Sequence, residues 1–270
     1  MRVMPRPSVL RRQRGFTLVE LLVALLIGLF LLGGLMTLVQ DNQRTFNTQS
    51  SLAQLQDGER LAMSIMTDVI QTAGYYPTPQ LITPAKALPA ATVAGTAWGS
   101  LQAVYGVDGT GSNGDTVSVR YETLSGDGIL SCNGTTNSSG APYLYYNTFS
   151  VNALTNQLVC TRGDLASPGN VFPLVSNVTS LQVLYGVNSA GTGNTVDTYM
   201  TATQVSAAGR WDNVISVQLQ LTFINPLCAS NYGGQTSCFA ASGSTATATN
   251  GQKPTITFQR TVPIMGVIGI

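Results

Sequence analysis

The sequence contains no histidine, and charged residues make up only 9% of its 270 residues. Histidine is the usual general base of hydrolases and the commonest side-chain ligand of transition metals, so its absence removes Ser-His-Asp and Cys-His catalysis. Paired carboxylates could still support acid–base chemistry, but the acidic residues are scattered through Gly-rich segments without a recognisable pair. We therefore expect neither an enzyme, nor a metal site, nor a cofactor.

The chain also lacks an excess of positive charge. It has 13 basic and 12 acidic residues. Without the five arginines of the first 14 residues (Arg2, Arg6, Arg11, Arg12 and Arg14), eight basic residues face 12 acidic ones, which gives a formal charge of −4. Such a chain has no electrostatic footprint for nucleic acid, so we expect no direct nucleic-acid partner.

One long apolar run is present near the start. Leu21 to Val39 is a stretch of 19 residues without a charge, long enough as a helix to cross a bilayer of roughly 30 Å hydrocarbon thickness. An ordinary secretory signal would place its small cleavage residue after the run, whereas here the small residue, Gly15, precedes it. By the positive-inside tendency the arginines stay cytoplasmic, and everything after Val39 faces outward.

The residues between the arginines and the run form a specific motif, Arg14-Gly15-Phe16-Thr17-Leu18-Val19-Glu20-Leu21-Leu22. This motif resembles the class III leader of type IV pilins and pseudopilins. The resemblance implies that a prepilin peptidase cuts between Gly15 and Phe16, and that Phe16 becomes an N-methylated first residue. Glu20 is then the fifth residue of the mature chain.

A functional role for Glu20 is also expected on physical grounds, independently of the resemblance. A carboxylate in an apolar helix is costly unless it is paired, and such residues are functional hypotheses by default. After cleavage, the nearest cation could be the new α-amino group of Phe16 in the same chain or in a neighbour. If the Glu20 carboxylate pairs with the amino group of a neighbouring subunit, docking of the two subunits would neutralise a buried charge. The alternative is that Glu20 lies at the membrane interface and does little.

Beyond the run, the sequence predicts an amphipathic helix. No proline occurs from Asn42 to Ala73, and apolar residues recur there at steps of three, four and seven. Gly74 and Pro77 are stop signals. A continuous helix from Phe16 to Ala73 would be about 87 Å long. We therefore divide the chain into a removed leader at 1–15, a transmembrane half-helix at 16–39, an amphipathic half-helix at 40–73 and a globular head at 74–270.

The head is predicted to be β-rich. Polar and apolar residues alternate at 117–121, 181–185 and 215–223, and a last strand is predicted near 255–262. An antiparallel sheet packed on the upstream helix gives an α+β fold. We interpret 81–99 as an irregular connection and 240–254 as a loop. The segment 101–108, LQAVYGVD, recurs at 181–188 as LQVLYGVN, which indicates two equivalent strand-to-turn units.

The second copy, with 195–199 and 211–217, is similar to the C-terminal half of PilW-type minor pilins. The resemblance implies a minor pilin that helps to initiate or cap a type IV pilus by packing with other minor pilins and the major pilin. Its further partners would be the prepilin peptidase, the inner-membrane assembly platform and the inner membrane itself. The head would be periplasmic before assembly. The alternatives are a minor pseudopilin of type II secretion and a pilin-anchored surface adhesin.

The four cysteines lack the spacing of a zinc or redox site. Outside the membrane, oxidising conditions favour disulfides. Sequential pairing, Cys132 with Cys160 and Cys228 with Cys238, is the simplest of three connectivities, and free cysteines are the alternative.

The loop that begins at Asp108 also offers Ser112, Asn113 and Asp115 as oxygen ligands. It lacks the Gly at the sixth position and the terminal Glu of an EF-hand, so we favour an Asn/Gly turn over a calcium site. For the tyrosines at 75–76 and 143–146 we favour packing within the head over a contact surface.

Overall fold

The computed structural model describes residues 17–93, 95–110, 114–164, 169–190, 195–225, 237–239, 245–247 and 255–265. Gly15 and Phe16 lie outside these ranges. The chain divides into two compact units, residues 1–50 and residues 51–270.

The long helix α1 covers Leu18–Gln71. Within the second unit its apolar stripe is buried, with Leu55, Ala62, Met66 and Ile70 in the core. Gly74, which the sequence marks as a stop, has a φ of +80° that L-residues other than glycine rarely adopt. The helix ends at Gln71, two residues before the predicted end at Ala73.

Two large antiparallel sheets form the head. The elements after α1 are α2 (Pro84–Ala87), β1 (Ala91–Val93), β2 (Thr96–Trp98), β3 (Val104–Val107), β4 (Thr116–Thr123), β5 (Tyr143–Asn152), β6 (Gln157–Gly163), β7 (Asn170–Ser176), β8 (Val178–Val187), β9 (Thr198–Met200), α3 (Ala202–Ala208), β10 (Val214–Ile224), β11 (Ser237–Phe239), β12 (Thr245–Thr247) and β13 (Thr255–Pro263). The first large sheet is a five-stranded meander in the order β3-β4-β5-β6-β7, and the second has the order β13-β10-β8-β9.

The core lies where the predicted alternation places it. Val117, Val119 and Tyr121 of β4 are fully buried, and so are the inward residues of β8 and β10. They share one apolar cluster with the buried stripe of α1. The predicted α+β class, with a long N-terminal helix and antiparallel sheets in the head, is confirmed.

The interpretation of 81–99 as an irregular connection is wrong, because the segment contains α2 and the β1–β2 hairpin. The physical reason is Arg120 on β4, whose side chain is fully buried. Its guanidinium donates hydrogen bonds to the backbone carbonyls of Leu88 (3.3 Å), Pro89 (2.6 Å), Gly99 (2.5 Å) and Gln102 (2.5 Å). It also lies 5.1 Å from the ring centroid of Trp98. One cation thus anchors the backbone on both sides of the β1–β2 hairpin.

The segment 240–254 is only partly described. Within it, β12 pairs with β11 in a short antiparallel hairpin. The rest of this predicted loop lies outside the described residues.

Candidate assembly site

The first turn of α1 is built around Thr17. The Thr17 carbonyl accepts the first helical hydrogen bond, from Leu21 N at 3.2 Å, and its Oγ1 accepts a hydrogen bond from Glu20 N at 3.3 Å. These are the two bonds of an N-cap residue. Glu20 stands at the third helical position, so the sequence Thr17-x-x-Glu20 has the pattern of a capping box. The positive end of the helix dipole favours a carboxylate there.

The helix that follows is apolar on every side. All the large apolar side chains between Leu18 and Val39 are exposed, with Leu18 at 77% and Phe30 at 83%. In the part of the chain that the structure describes, α1 is the single helix that is long and apolar enough to cross a membrane, judged by length and composition. A helix that is apolar all round is made for lipid or for the interior of a helix bundle.

Three glycines leave gaps on this apolar surface. A Cβ atom added at Gly28, Gly33 or Gly34 would meet no heavy atom within 4 Å. Small residues let helices approach closely in membranes, although apolar helices are also rich in glycine for other reasons. The hydroxyl of Thr37 donates to the Gly34 carbonyl at 2.8 Å, so its polar group is satisfied within the helix.

The two copies of the sequence repeat meet at Trp211. The indole ring centroid lies 5.2 Å from that of Tyr105 and 4.9 Å from that of Tyr185, which are equivalent residues of the two copies. Tyr105 belongs to the five-stranded sheet and Tyr185 to the four-stranded sheet. The two copies of the repeat therefore join the two sheets around one shared aromatic residue, Trp211. This residue lies three positions before Val214, where β10 begins.

The carboxylates of the 108–115 loop bind backbone amides. Asp108 accepts from Ala202 N (2.8 Å) and Thr203 N (2.9 Å), at the start of α3. Burial raises the pKa of Asp108, but the hydrogen bonds from Thr203 and its neighbours outweigh this effect and hold the pKa below its ordinary value.

Asp115 joins the same loop to β8. It accepts from Gly109 N at 2.9 Å and from Val183 N at 2.8 Å. All four carboxylate oxygens of Asp108 and Asp115 thus accept hydrogen bonds from backbone amides. Only the bond from Gly109 N lies within the loop, and the other three join the loop to α3 and β8. Ser112 and Asn113 lie outside the described residues. Among the described residues there is no group of three or more His, Cys, Asp or Glu that could hold a metal ion.

A disulfide joins Cys132 to Cys160, with the two Cα atoms 6.2 Å apart. Both residues are buried. The bond fastens the long β4–β5 connection to β6, and Asn147 of β5 supports it by accepting a hydrogen bond from Cys132 N at 3.1 Å. Cys228 lies outside the described residues, and of Cys238 the structure describes only the backbone in β11.

A shallow cleft of about 430 Å³ lies beside α2 and the start of β5. Lys86, Glu122, Tyr143 and Asp164 contribute its polar groups. Tyr143 Oη donates a hydrogen bond to Asp164. Burial, followed by this hydrogen bond, raises the pKa of Tyr143 to about 12, and burial raises the pKa of Glu122. Both shifts favour the protonated forms of Tyr143 and Glu122.

Three features of the structure were not predicted from the sequence: the cap at Thr17, the buried Arg120 and the long-range bonds of Asp108. The pattern Thr17-x-x-Glu20 is a capping signal that could have been found. A lone arginine within an alternating strand, as Arg120 is, could have been flagged as a buried charge that needs partners. The bonds of Asp108 to residues 94 and 95 positions away carry no local signal.

Comparisons with known proteins give two family matches and several structural matches. Residues 136–265 match the family model described as Type IV Pilus-assembly protein W, and residues 10–36 match the Prokaryotic N-terminal methylation motif. No curated protein sequence matches this chain. Among solved structures, the type IV-like pilin TTHA1219 from Thermus thermophilus matches with 14% sequence identity and a TM-score of 0.42. The match covers 79% of this chain and 96% of that pilin.

Proposed function

Starting from a type IV pilin-like chain with a PilW domain and an N-terminal methylation motif, we propose that this protein is a minor pilin that helps to initiate or cap type IV pilus assembly. The observation that carries the proposal is the N-terminus of α1. A capped first turn bearing one carboxylate opens a helix whose large apolar side chains are all exposed from Leu18 to Val39. Such a helix is stable only in lipid or among other apolar helices.

The first step in this function is processing. A prepilin peptidase removes residues 1–15, and Phe16 is methylated on its new amino group. The protein then rests in the inner membrane by one span, with its head in the periplasm, until it joins a fibre. Mass spectrometry of the mature N-terminus tests this step: it should begin with methyl-Phe16, and a chain that keeps Gly15 would contradict the proposal.

The second step is docking through Glu20. In the membrane its carboxylate is costly unless a cation neutralises it, and the α-amino group of Phe16 is the cation created by cleavage. When the amino group comes from a neighbouring subunit, joining the fibre relieves the buried charge and fixes the axial register of the helix. Glu20 then drives insertion into the fibre without contributing to cleavage.

Glu20→Ala and Glu20→Gln separate docking from processing. Both variants should lose their leader, yet their amount in sheared surface fibres should fall at least tenfold. Glu59→Ala removes an acidic residue from the polar half of the same helix and should enter fibres normally. The proposal is overturned if Glu20→Ala reaches wild-type levels in fibres.

Deletion of the whole gene distinguishes the proposed role from the alternatives. A minor pilin that initiates assembly is needed for all surface pili, so fibres should disappear and return on complementation. Normal fibre numbers with lost attachment would instead identify an adhesin. Normal pili with failed protein secretion would identify a pseudopilin.

A further inference from the structure

The outer edges of the two large sheets are not protected equally. An edge strand exposes unpaired N–H and C=O groups, and proteins usually shorten, cover or interrupt it. β9 has three residues and β3 has four, and Tyr105 of β3 packs on Trp211. β7 contains Pro173 and an irregularity in its pairing with β6. All three edges therefore carry a protective device.

β13 has none of these devices. It pairs with β10 over nine residues without a register shift, and its single proline, Pro263, is its last residue. Its only charged residue is Arg260. Within the described residues, no strand pairs with its other edge.

The register shows which backbone groups of β13 point outward. Ile264 N donates to Ile215 O at 2.9 Å, which extends the pairing of Pro263 with Ser216 by one residue. In an antiparallel ladder, hydrogen-bonded pairs alternate along the strand, so the even-numbered residues of β13 face β10. The outward N–H and C=O groups belong to Thr255, Thr257, Gln259 and Thr261. All four side chains are exposed.

We propose that this edge of β13 takes an extended strand from the head of a neighbouring, different pilin. A row of outward N–H and C=O groups recognises a peptide in β conformation, which joins the sheet as an added strand. An acidic residue of that strand opposite Arg260 would add charge complementarity, since opposite charges on facing strands stabilise the pair. The inference rests on the proposed function, because it needs a neighbouring pilin.

A second copy of this chain fits the edge less well. Two copies paired antiparallel through β13 would be related by a two-fold axis, and such a closed contact cannot propagate along a fibre. Pairing centred near Gln259 would also bring the two Arg260 side chains close together, and like charges on facing strands are destabilising. A different pilin avoids both problems.

Gln259→Pro tests the edge directly. Proline removes the outward N–H of residue 259, and the bonds from the even-numbered residues to β10 remain. The matched control, Gln259→Ala, changes the same side chain but keeps the N–H. Full-length mature protein in detergent is titrated with the purified major pilin and, separately, with each purified minor pilin of the same cell.

The expected result is that one pilin binds wild type and Gln259→Ala equally, and binds Gln259→Pro at least tenfold more weakly. Equal binding of Gln259→Pro would overturn the inference and leave the proposed function standing. If no pilin binds the wild-type protein, the proposed function fails as well. Preference for a second copy of this chain would overturn the choice of partner.

Hydrogen exchange on the wild-type complex gives a test that does not depend on how the proline variant folds. The amides of Thr257, Gln259 and Thr261 should exchange at least tenfold more slowly with the partner bound. Amides of Phe258 and Arg260, which already face β10, serve as the internal control. Unchanged exchange at the three outward amides would overturn the inference.

Discussion

Arg120 shows how much one buried charge can organise. Burial lowers the pKa of its guanidinium, yet the group remains charged because an arginine side chain is protonated far above neutral pH. Hydrogen bonds to backbone carbonyls replace the lost water, and they tie the connection after α1 to β4. Lysine cannot reproduce this planar set of donors.

We expect Arg120→Lys to lower the free energy of unfolding by about 2–4 kcal/mol, because carbonyls and a buried cation lose their partners. Urea denaturation of the full-length protein in detergent measures the change. Arg44→Lys is the control, since Arg44 is exposed and its 3.8 Å ion pair with Asp41 lies on the surface. A stability equal to wild type would show that the network around Arg120 contributes little.

Asp108 makes a pH-dependent contribution to the stability of the fold. Its folded-state pKa lies below the ordinary value of 3.8, so its carboxylate stabilises the fold above that pH. The contribution should disappear as the pH falls through the folded-state value. At pH 7 we expect Asp108→Asn to cost about 1 kcal/mol, because an amide side chain can accept only one of the two backbone hydrogen bonds from Ala202 N and Thr203 N.

The measurement is a pair of unfolding curves for wild type and Asp108→Asn at pH 7 and at pH 3. The difference in unfolding free energy should be full at pH 7 and smaller at pH 3. An equal difference at both pH values would mean that the charge of Asp108 is not what stabilises α3.

Among the elements, the β4–β5 connection depends most on a single covalent bond. The disulfide spans a sequence separation of 28 residues, and closing a loop of this size contributes roughly 2–4 kcal/mol by restricting the unfolded chain. Within the connection, Asp127 accepts hydrogen bonds from Leu124 N (2.7 Å) and Ile129 N (3.0 Å), which hold one turn locally.

We therefore expect the double variant Cys132→Ser, Cys160→Ser to unfold at a lower temperature, with increased proteolysis confined at first to residues 124–142. Thermal unfolding and limited proteolysis with mass spectrometry check both parts. First cleavage in the α3 region instead would contradict the assignment of the bond to this connection.

Elements with a clear periodicity could be predicted from the sequence, and those fixed by distant contacts could not. The buried stripe of α1 and the alternation in β4, β8 and β10 follow from local spacing, so their positions were predictable. The residues that flank the β1–β2 hairpin are bonded by Arg120, which lies more than 20 residues further along the chain. Likewise, the sequence predicts a strand near 255–262, but only the pairing order shows that, among the described residues, this strand lies at the edge of its sheet.

At the scale of the whole molecule, the N-terminal unit and the head need different surroundings. The first has exposed apolar side chains from Leu18 to Val39, whereas the head buries most of its apolar residues and is rich in Thr, Ser, Asn and Gln. A membrane would satisfy both requirements if the apolar helix segment lies in lipid and the head stays in water. In the proposed topology, the five arginines before the apolar run stay on the cytoplasmic side, so the head faces the other side of the membrane.

This orientation leads to the last prediction. Protease added to intact spheroplasts should digest the head and leave the N-terminal segment up to about Val39, which lipid protects. If the head resists protease until detergent opens the membrane, the head lies on the cytoplasmic side and the expected orientation is wrong. The control replaces the five leader arginines with glutamine in a Gly15→Leu variant, in which the leader should be retained. Loss of the positive charge should then reduce the digested fraction, because the topological signal is gone.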